Sequence, residues 1–359
     1  GSSLNLSFVS MTALRGNLDP SLALFAEVAR ELAFPEDMVA LQRSQQLAAI
    51  AQQAANPFGA AQRRVPALVY GAAHPYGRPA GGLGEAAAVA RLEPAALRAW
   101  HAQHFVPANA TLVVAGAIDA DALRPLLERH FGSWRGEPPE RRALPPLQAA
   151  PVGELLLVDK PGAAQSVIVA AQPSETAPID PLALETVMRN FGGMATSRLN
   201  RNLRLDKHWS YGSSGYVSDA RGASGAFVVI APVQTDKTAP AMQEVYAEIR
   251  GLAGERPLAG EELESILRSQ VSRLPGRFET LSSLVNAAVD LLQNAREPAY
   301  YYDYARNLRA LDGAALNAAA AAAVDADQLR WIVIGDAQKI ESELKALPFI
   351  RAVRREITP

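Results

Sequence analysis

The chain carries five histidines and no cysteine. Thiolate nucleophiles, disulfides and Cys-ligated zinc or iron–sulfur sites are therefore excluded. His101-Ala-Gln-His104 places two imidazoles about one helical turn apart, within reach of one metal ion. Zinc needs at least a third protein ligand, and no acid lies between the two. A structural or surface role is the simpler reading of this pair. His74 sits in Gly-Ala-Ala-His-Pro-Tyr-Gly, a turn by composition. His130 falls at a helix end, where a cation complements the dipole. No Walker-type loop, no G-x-G-x-x-G after a strand and no G-x-S-x-G elbow occurs, so nucleotide-binding and serine-hydrolase readings lack local support.

The chemically informative stretch is 191–212, Phe-Gly-Gly-Met-Ala-Thr-Ser-Arg-Leu-Asn-Arg-Asn-Leu-Arg-Leu-Asp-Lys-His-Trp-Ser-Tyr-Gly. Gly192-Gly193 lets the backbone approach something closely. Thr196 or Ser197 can cap a helix running from Arg198 to about Asp206. Leu199 and Leu203, one turn apart, anchor it and leave Arg198, Arg201 and Arg204 on the remaining surface. Trp209-Ser-Tyr211-Gly212 then starts a strand. Arg204 and Tyr211 can both face one groove. Arg supplies charge-assisted donors to a carboxylate or peptide carbonyl, and Tyr donates to a carbonyl or to an oxyanion developing on it. On composition alone, a solvated basic helix followed by an aromatic core strand is the plainer reading.

The elements that must position these residues are mixed. Residues 4–13 alternate apolar and polar, as a half-buried strand does. Asp19-Pro20 reads as N-cap and first position of a helix whose apolar face is Leu22, Leu24, Phe25, Val28 and Leu32. Helices follow at about 37–55 and 92–105, a buried strand at 112–116, and a helix from Asp121 to Phe131. Residues 135–153, rich in Pro and charge and without periodicity, read as a linker.

Beyond the linker the pattern repeats. Leu92-Glu-Pro-Ala-Ala-Leu97 matches Leu311-Asp-Gly-Ala-Ala-Leu316, and Leu112-Val-Val-Ala-Gly116 matches Trp331-Ile-Val-Ile-Gly335. Glu27-Val28 and Glu31 pair with Glu244-Val245 and Glu248, and Leu41-Gln-Arg-Ser-Gln45 resembles Leu267-Arg-Ser-Gln270. Four matches in one order indicate a duplication. The expected fold is α+β: two homologous domains, residues 1–134 and 154–359, each a mixed or antiparallel sheet packed with helices. The first lacks a counterpart for the segment from about 155 to 225. With 359 residues, 49% of them hydrophobic, the chain has material for two cores. A net charge of -2 argues against a nucleic-acid binder. No apolar run of transmembrane length is present, and no signal peptide is visible.

The 191–212 stretch resembles the second-domain signature of the pitrilysin/insulinase-type zinc metallopeptidases, a family that includes the mitochondrial processing peptidases. Gly192-Gly193, Ser197-Arg198-Leu199, Leu203-Arg204 and Tyr211 stand at matching spacing, with Leu205 where an acid is usual. Tyr70-Gly71…His74-Pro75-Tyr76-Gly77, Phe105-Val-Pro107-Ala-Asn109 and Val158-Asp-Lys160-Pro-Gly162 resemble further family segments. The resemblance implies clam-shell halves of a peptidase chamber. It also implies a zinc site built on H-x-x-E-H with a downstream Glu. That motif is absent from all 359 residues, and its expected place precedes residue 4. In the pattern surrounding the third ligand, Ala49 occupies the Glu position, and no Asp or Glu lies between 38 and 84.

The resemblance therefore implies a non-catalytic, substrate-binding subunit that binds no zinc itself. Its partner would be a catalytic subunit carrying H-x-x-E-H and the zinc. Arg204, Tyr211 and the Gly192-Gly193 loop would hold the peptide substrate, in the periplasm by analogy with bacterial relatives. Two alternatives are a self-sufficient zinc protease whose H-x-x-E-H segment is missing from this chain, and a structural scaffold subunit without a peptidase role.

Overall fold

The computed structural model describes residues 1–79, 81–140, 143–218 and 224–357; Arg141 and Arg142, within the segment read as a linker, lie outside them. The strands are β1 (Glu154–Asp159), β2 (Gln165–Ser174), β3 (Ser214–Ser218), β4 (Gly225–Gln234), β5 (Arg330–Gly335) and β6 (Ala352–Ile357). The helices in chain order are α1 (Leu18–Arg30), α2 (Glu36–Ala55), α3 (Pro57–Tyr70), α4 (Ala86–Val89), α5 (Pro94–His104), α6 (Ala120–Phe131) and α7 (Pro181–Phe191). They continue as α8 (Arg198–Asn200), α9 (Thr238–Arg250), α10 (Gly260–Arg273), α11 (Leu281–Gln293), α12 (Ala299–Ala310), α13 (Gly313–Ala323) and α14 (Ala337–Lys345). These elements form two compact units. One holds Gly1–Ile50, Gly84–Ala143 and Leu274–Tyr302; the other holds Ala51–Leu83, Leu144–Arg273 and Asp303–Pro359.

The second unit is built on a six-stranded mixed sheet in the order β3-β4-β2-β5-β1-β6. The pairs from β3 to β5 are antiparallel, and β1 runs parallel to both β5 and β6. Its central strands are continuous apolar runs, as strands covered on both faces must be. Alternate residues serve opposite faces. Leu155, Leu157, Ile168, Phe227, Val229, Trp331 and Val333 face the core made with α7, α9, α13 and α14. Leu156, Val158, Val169, Val228, Ile230, Ile332 and Ile334 face a second core made with α3.

Helix α3 was not foreseen in the sequence. Asn56 caps it by accepting from Gly59 N–H (3.1 Å), Pro57 fills the first turn, and Gly71 ends it at φ +86°. Part of the Pro-rich segment 135–153 also belongs to this second core. Leu144, Leu147 and Ala150 pack against it, and the N–H groups of Gln148 and Ala150 donate to Tyr70 and Leu68 carbonyls. Its prolines deny it a regular element, but its apolar residues still find a buried face.

The first unit differs from expectation. Residues 4–13 form no strand, only an isolated bridge between Ser2 and Ser7, and residues 112–116 form no ladder. Leu112 and Val114 are each 43% exposed, so the expected buried strand is neither paired nor buried. Alternating residues supply a strand's faces, but among the described residues no neighbouring strand accepts its hydrogen bonds. Helix α1 starts at Leu18, with Asn17 at the cap position. Asp19 lies in the first turn, where its carboxylate takes Arg129 and His130 of α6, both at 2.7 Å. These contacts, the hydrogen bond from His130 foremost, hold its pKa below the usual carboxylate value against some desolvation. Of its apolar positions Leu22 is buried, but Leu24, Val28 and Leu32 are exposed.

The duplication is visible in the elements themselves. Helix α5 and the 3-10 turn Pro107–Asn109 correspond to α13 and the turn Ala326–Gln328, every boundary 219 positions apart.

Candidate functional site

Helix α7 delivers the chain to Phe191, whose fully buried ring packs against Phe227 at 5.8 Å. A Cβ on Gly192 would stand 2.1 Å from the backbone nitrogen of Gly215 in β3. The close approach expected at this Gly-Gly pair is thus to the chain's own strand, and no larger residue fits there. Ser197 stands at the next helix's cap position, its carbonyl accepting from Arg201 N–H at 2.7 Å, but its hydroxyl makes no cap bond. Helix α8 then widens into a π-turn, Arg201–Asp206. Leu199 and Leu203 anchor it and are fully buried, as the spacing implied.

The three arginines separate. Arg198 is buried: its Nε and Nη2 grip Glu262 of α10 at 2.7 and 2.6 Å, and its Nη1 donates to Arg256 O at 2.7 Å. Asn190 donates to the same carboxylate at 2.8 Å. Burial pushes the Glu262 carboxyl up, but the bonds from Arg198 and Asn190 outweigh it and leave its pKa lowered. The expectation that Arg198 lies on the surface is therefore corrected; a planar fork meeting one carboxylate satisfies a guanidinium in the interior. Asn202 and Lys207 fasten the same segment to Glu244 of α9, Asn202 also reaches the buried Glu248, and Arg256 pairs with Glu248. The Arg201 and Arg204 side chains remain exposed, with no hydrogen-bonding or ionic partner among the described residues.

Residues 209–213 form a turn, and the strand expected from Trp209 begins only at Ser214. His208 enters this turn at φ +59°, a conformation non-glycine residues seldom adopt. The N–H groups of Trp209 and Ser210 both donate to Leu203 O, at 2.9 and 3.2 Å. The main chain beside Arg204 therefore meets the main chain beside Tyr211. Ser210 Oγ donates to Pro232 O of β4 at 2.5 Å and accepts from Gly212 N–H at 3.1 Å. Trp209 packs on the sheet's core, whereas the Tyr211 side chain is 89% exposed and has no partner among the described residues. An aromatic core strand is thus excluded at Tyr211. The arrangement offers a guanidinium and a phenol, both donors, on a braced backbone.

The histidines are otherwise engaged. His101 is buried and stacks on Phe105 at 4.6 Å; His104 stacks on Trp100 at 4.7 Å and bonds its carbonyl. His74 clusters with Tyr70 and Tyr76 and accepts from Tyr76 N–H.

The family model for the peptidase M16 inactive domain matches residues 91–269, which include the whole of this site. A solved M16 inactive domain from Pseudomonas fluorescens superposes with a TM-score of 0.80 at 20% identity, covering 89% of this chain and 76% of that one. The chain belongs to the peptidase M16 family. A solved protease from Helicobacter pylori is similar to this M16 chain with a TM-score of 0.76 and 21% identity, over 90% of this chain and 78% of that one. An uncharacterised zinc protease of Mycobacterium leprae is 27% identical over 247 residues, 67% of this chain. The M16 chain spans about half the length of such curated relatives, 54% in that case.

Ala49 presents a methyl group from α2, and the acids of that helix, Glu36 and Asp37, stand in its first turn. Among the described residues no group of three or more His, Cys, Asp or Glu is placed to hold a metal ion. The residues present do not fit zinc. Among the described residues, no helix is long and apolar enough to cross a membrane.

Proposed function

We propose that this M16 chain is a substrate-binding subunit of a two-chain zinc endopeptidase, with the hydrolytic zinc site carried by an H-x-x-E-H partner. The observation carrying this reading is the contrast within 198–211. Arg198, Asn200, Asn202, Lys207 and Ser210 are fastened to the fold, while the Arg204 and Tyr211 side chains, like that of Arg201, stand exposed and unpartnered among the described residues on either side of a braced turn. Arg204 holds a peptide carbonyl or carboxylate by charge-assisted hydrogen bonds. The Tyr211 hydroxyl donates to the scissile carbonyl and to the oxyanion that forms on it, where such a donor contributes most. The chain binds and orients the peptide, and the partner performs the chemistry.

The test is reconstitution with an H-x-x-E-H chain. Arg204→Ala and Tyr211→Phe should each lower kcat/KM by about 100-fold without changing assembly, the lower end of the range for loss of one transition-state donor. Undiminished kcat/KM in both variants would sink the reading. A stable complex without proteolysis would instead indicate a scaffold.

A further inference from the structure

The Arg204 and Tyr211 side chains have no partners among the described residues, so their placement is the placement of the backbone that carries them. That backbone, residues 201–212, is a loop between Asn200 and Ser213, and one side chain closes it. Asn200 is 5% exposed. Its Oδ1 accepts from Ser213 N–H at 2.7 Å, and its Nδ2 donates to Ser213 O at 2.9 Å. The primary amide thus pairs with Ser213 as a strand residue would, at the threshold of β3. The second Nδ2 hydrogen reaches Met194 O at 2.8 Å, with Ser197 Oγ at 3.3 Å. One amide therefore ties the loop after Gly192-Gly193 to both ends of the segment bearing Arg204 and Tyr211.

We propose that Asn200 is a positioning residue: its side-chain amide fixes the geometry in which Arg204 and Tyr211 meet the peptide. This rests on the peptide-binding reading of those two residues. No isostere does the same work. Aspartate at this place keeps an acceptor for Ser213 N–H but turns a carboxylate toward two carbonyl oxygens. Leucine fills the volume, leaves the Ser213 N–H and carbonyl without the amide that pairs with them and takes from Met194 O one of its two donors, which is costly in a buried place.

The test uses Asn200→Asp and Asn200→Leu in the full chain, with Gln270→Leu as a control. Gln270 is also buried, but it bonds Thr186 and Tyr304 in the helical layer. All three variants should lower the melting temperature. Only the Asn200 variants should speed amide exchange at Ser213 and across 207–212, by about ten-fold or more, as loss of a buried hydrogen bond implies. With the H-x-x-E-H partner, they should also lose about ten-fold or more in kcat/KM, through misplacement of groups that still exist. Unchanged exchange at Ser213, or equal loosening in Gln270→Leu, would overturn the proposal. So would loosened exchange with full activity. If Arg204→Ala and Tyr211→Phe are then also harmless, the failure lies in the peptide-binding reading. If those two are damaging, it lies with Asn200 alone.

Discussion

Residues 92–116 and 311–335 are two copies of one local plan. Each runs through a helix, a 3-10 turn and an apolar segment, in step to the residue. Helices α5 and α13 both form, and so do the two turns. The last segment does not behave alike. In the second copy it is β5, hydrogen-bonded to β2 on one side and β1 on the other, with Trp331 to Ile334 all buried. In the first copy, 112–116 has no ladder and leaves Leu112 and Val114 half in water. A helix closes its hydrogen bonds within itself, whereas a strand borrows them from neighbours. The neighbours of β5 come from 154–174, the stretch for which the first repeat has no counterpart.

The largest effect that would break this comparison is in amide exchange of the 359-residue chain. Amides of 331–335 should exchange at least about 10⁴-fold more slowly than those of 112–116, since buried ladders open only with the core. Equal protection would mean that 112–116 finds a ladder after all. Mutation should then sharpen it. Trp331→Ala should cost about 3–5 kcal/mol in denaturant unfolding, and Leu112→Ala under about 0.5 kcal/mol. A smaller version of the contrast sits in the site helix. Arg198→Ala strands the Glu262 carboxylate and should cost about 3 kcal/mol, whereas Arg201→Ala should stay within about 0.5 kcal/mol. Glu262 has a lowered pKa in the folded chain, so its contribution is complete above its ordinary value of 4.5 and is lost as pH falls below that. Glu262→Gln should accordingly flatten the acid limb of stability against pH; an unchanged limb would show that the pair carries no linkage.

Much of the site was legible because it is local. The spacing of Leu199 and Leu203 marked the buried side of the helix, and Gly192 marked a close backbone contact. Arg198 was misread because the carboxylate that buries it, Glu262, is distant in sequence and carries no local signal. Asn200 and Ser210 went unnoticed for a related reason. They fall between the positions that spacing singles out, and their importance lies in carbonyls and N–H groups that any residue possesses. The turn at 209–213 was read as a strand because Trp and Tyr favour strands; the two N–H groups donated to Leu203 O override that preference.

Composition alone removed thiol chemistry. Resemblance of the 191–212 stretch to a known signature pointed to the peptidase lineage, and so to the absent H-x-x-E-H and the alanine at position 49. Repetition revealed the duplicated plan. These are properties of residue identity and short-range periodicity, which a sequence states directly. Tertiary structure decided which of two like segments becomes a strand and which arginine is buried. It also decided that α3 and residues 144–150 cover the second face of the sheet. Each of those outcomes depends on a partner distant along the chain, and only folding brings such a partner within hydrogen-bonding or van der Waals reach.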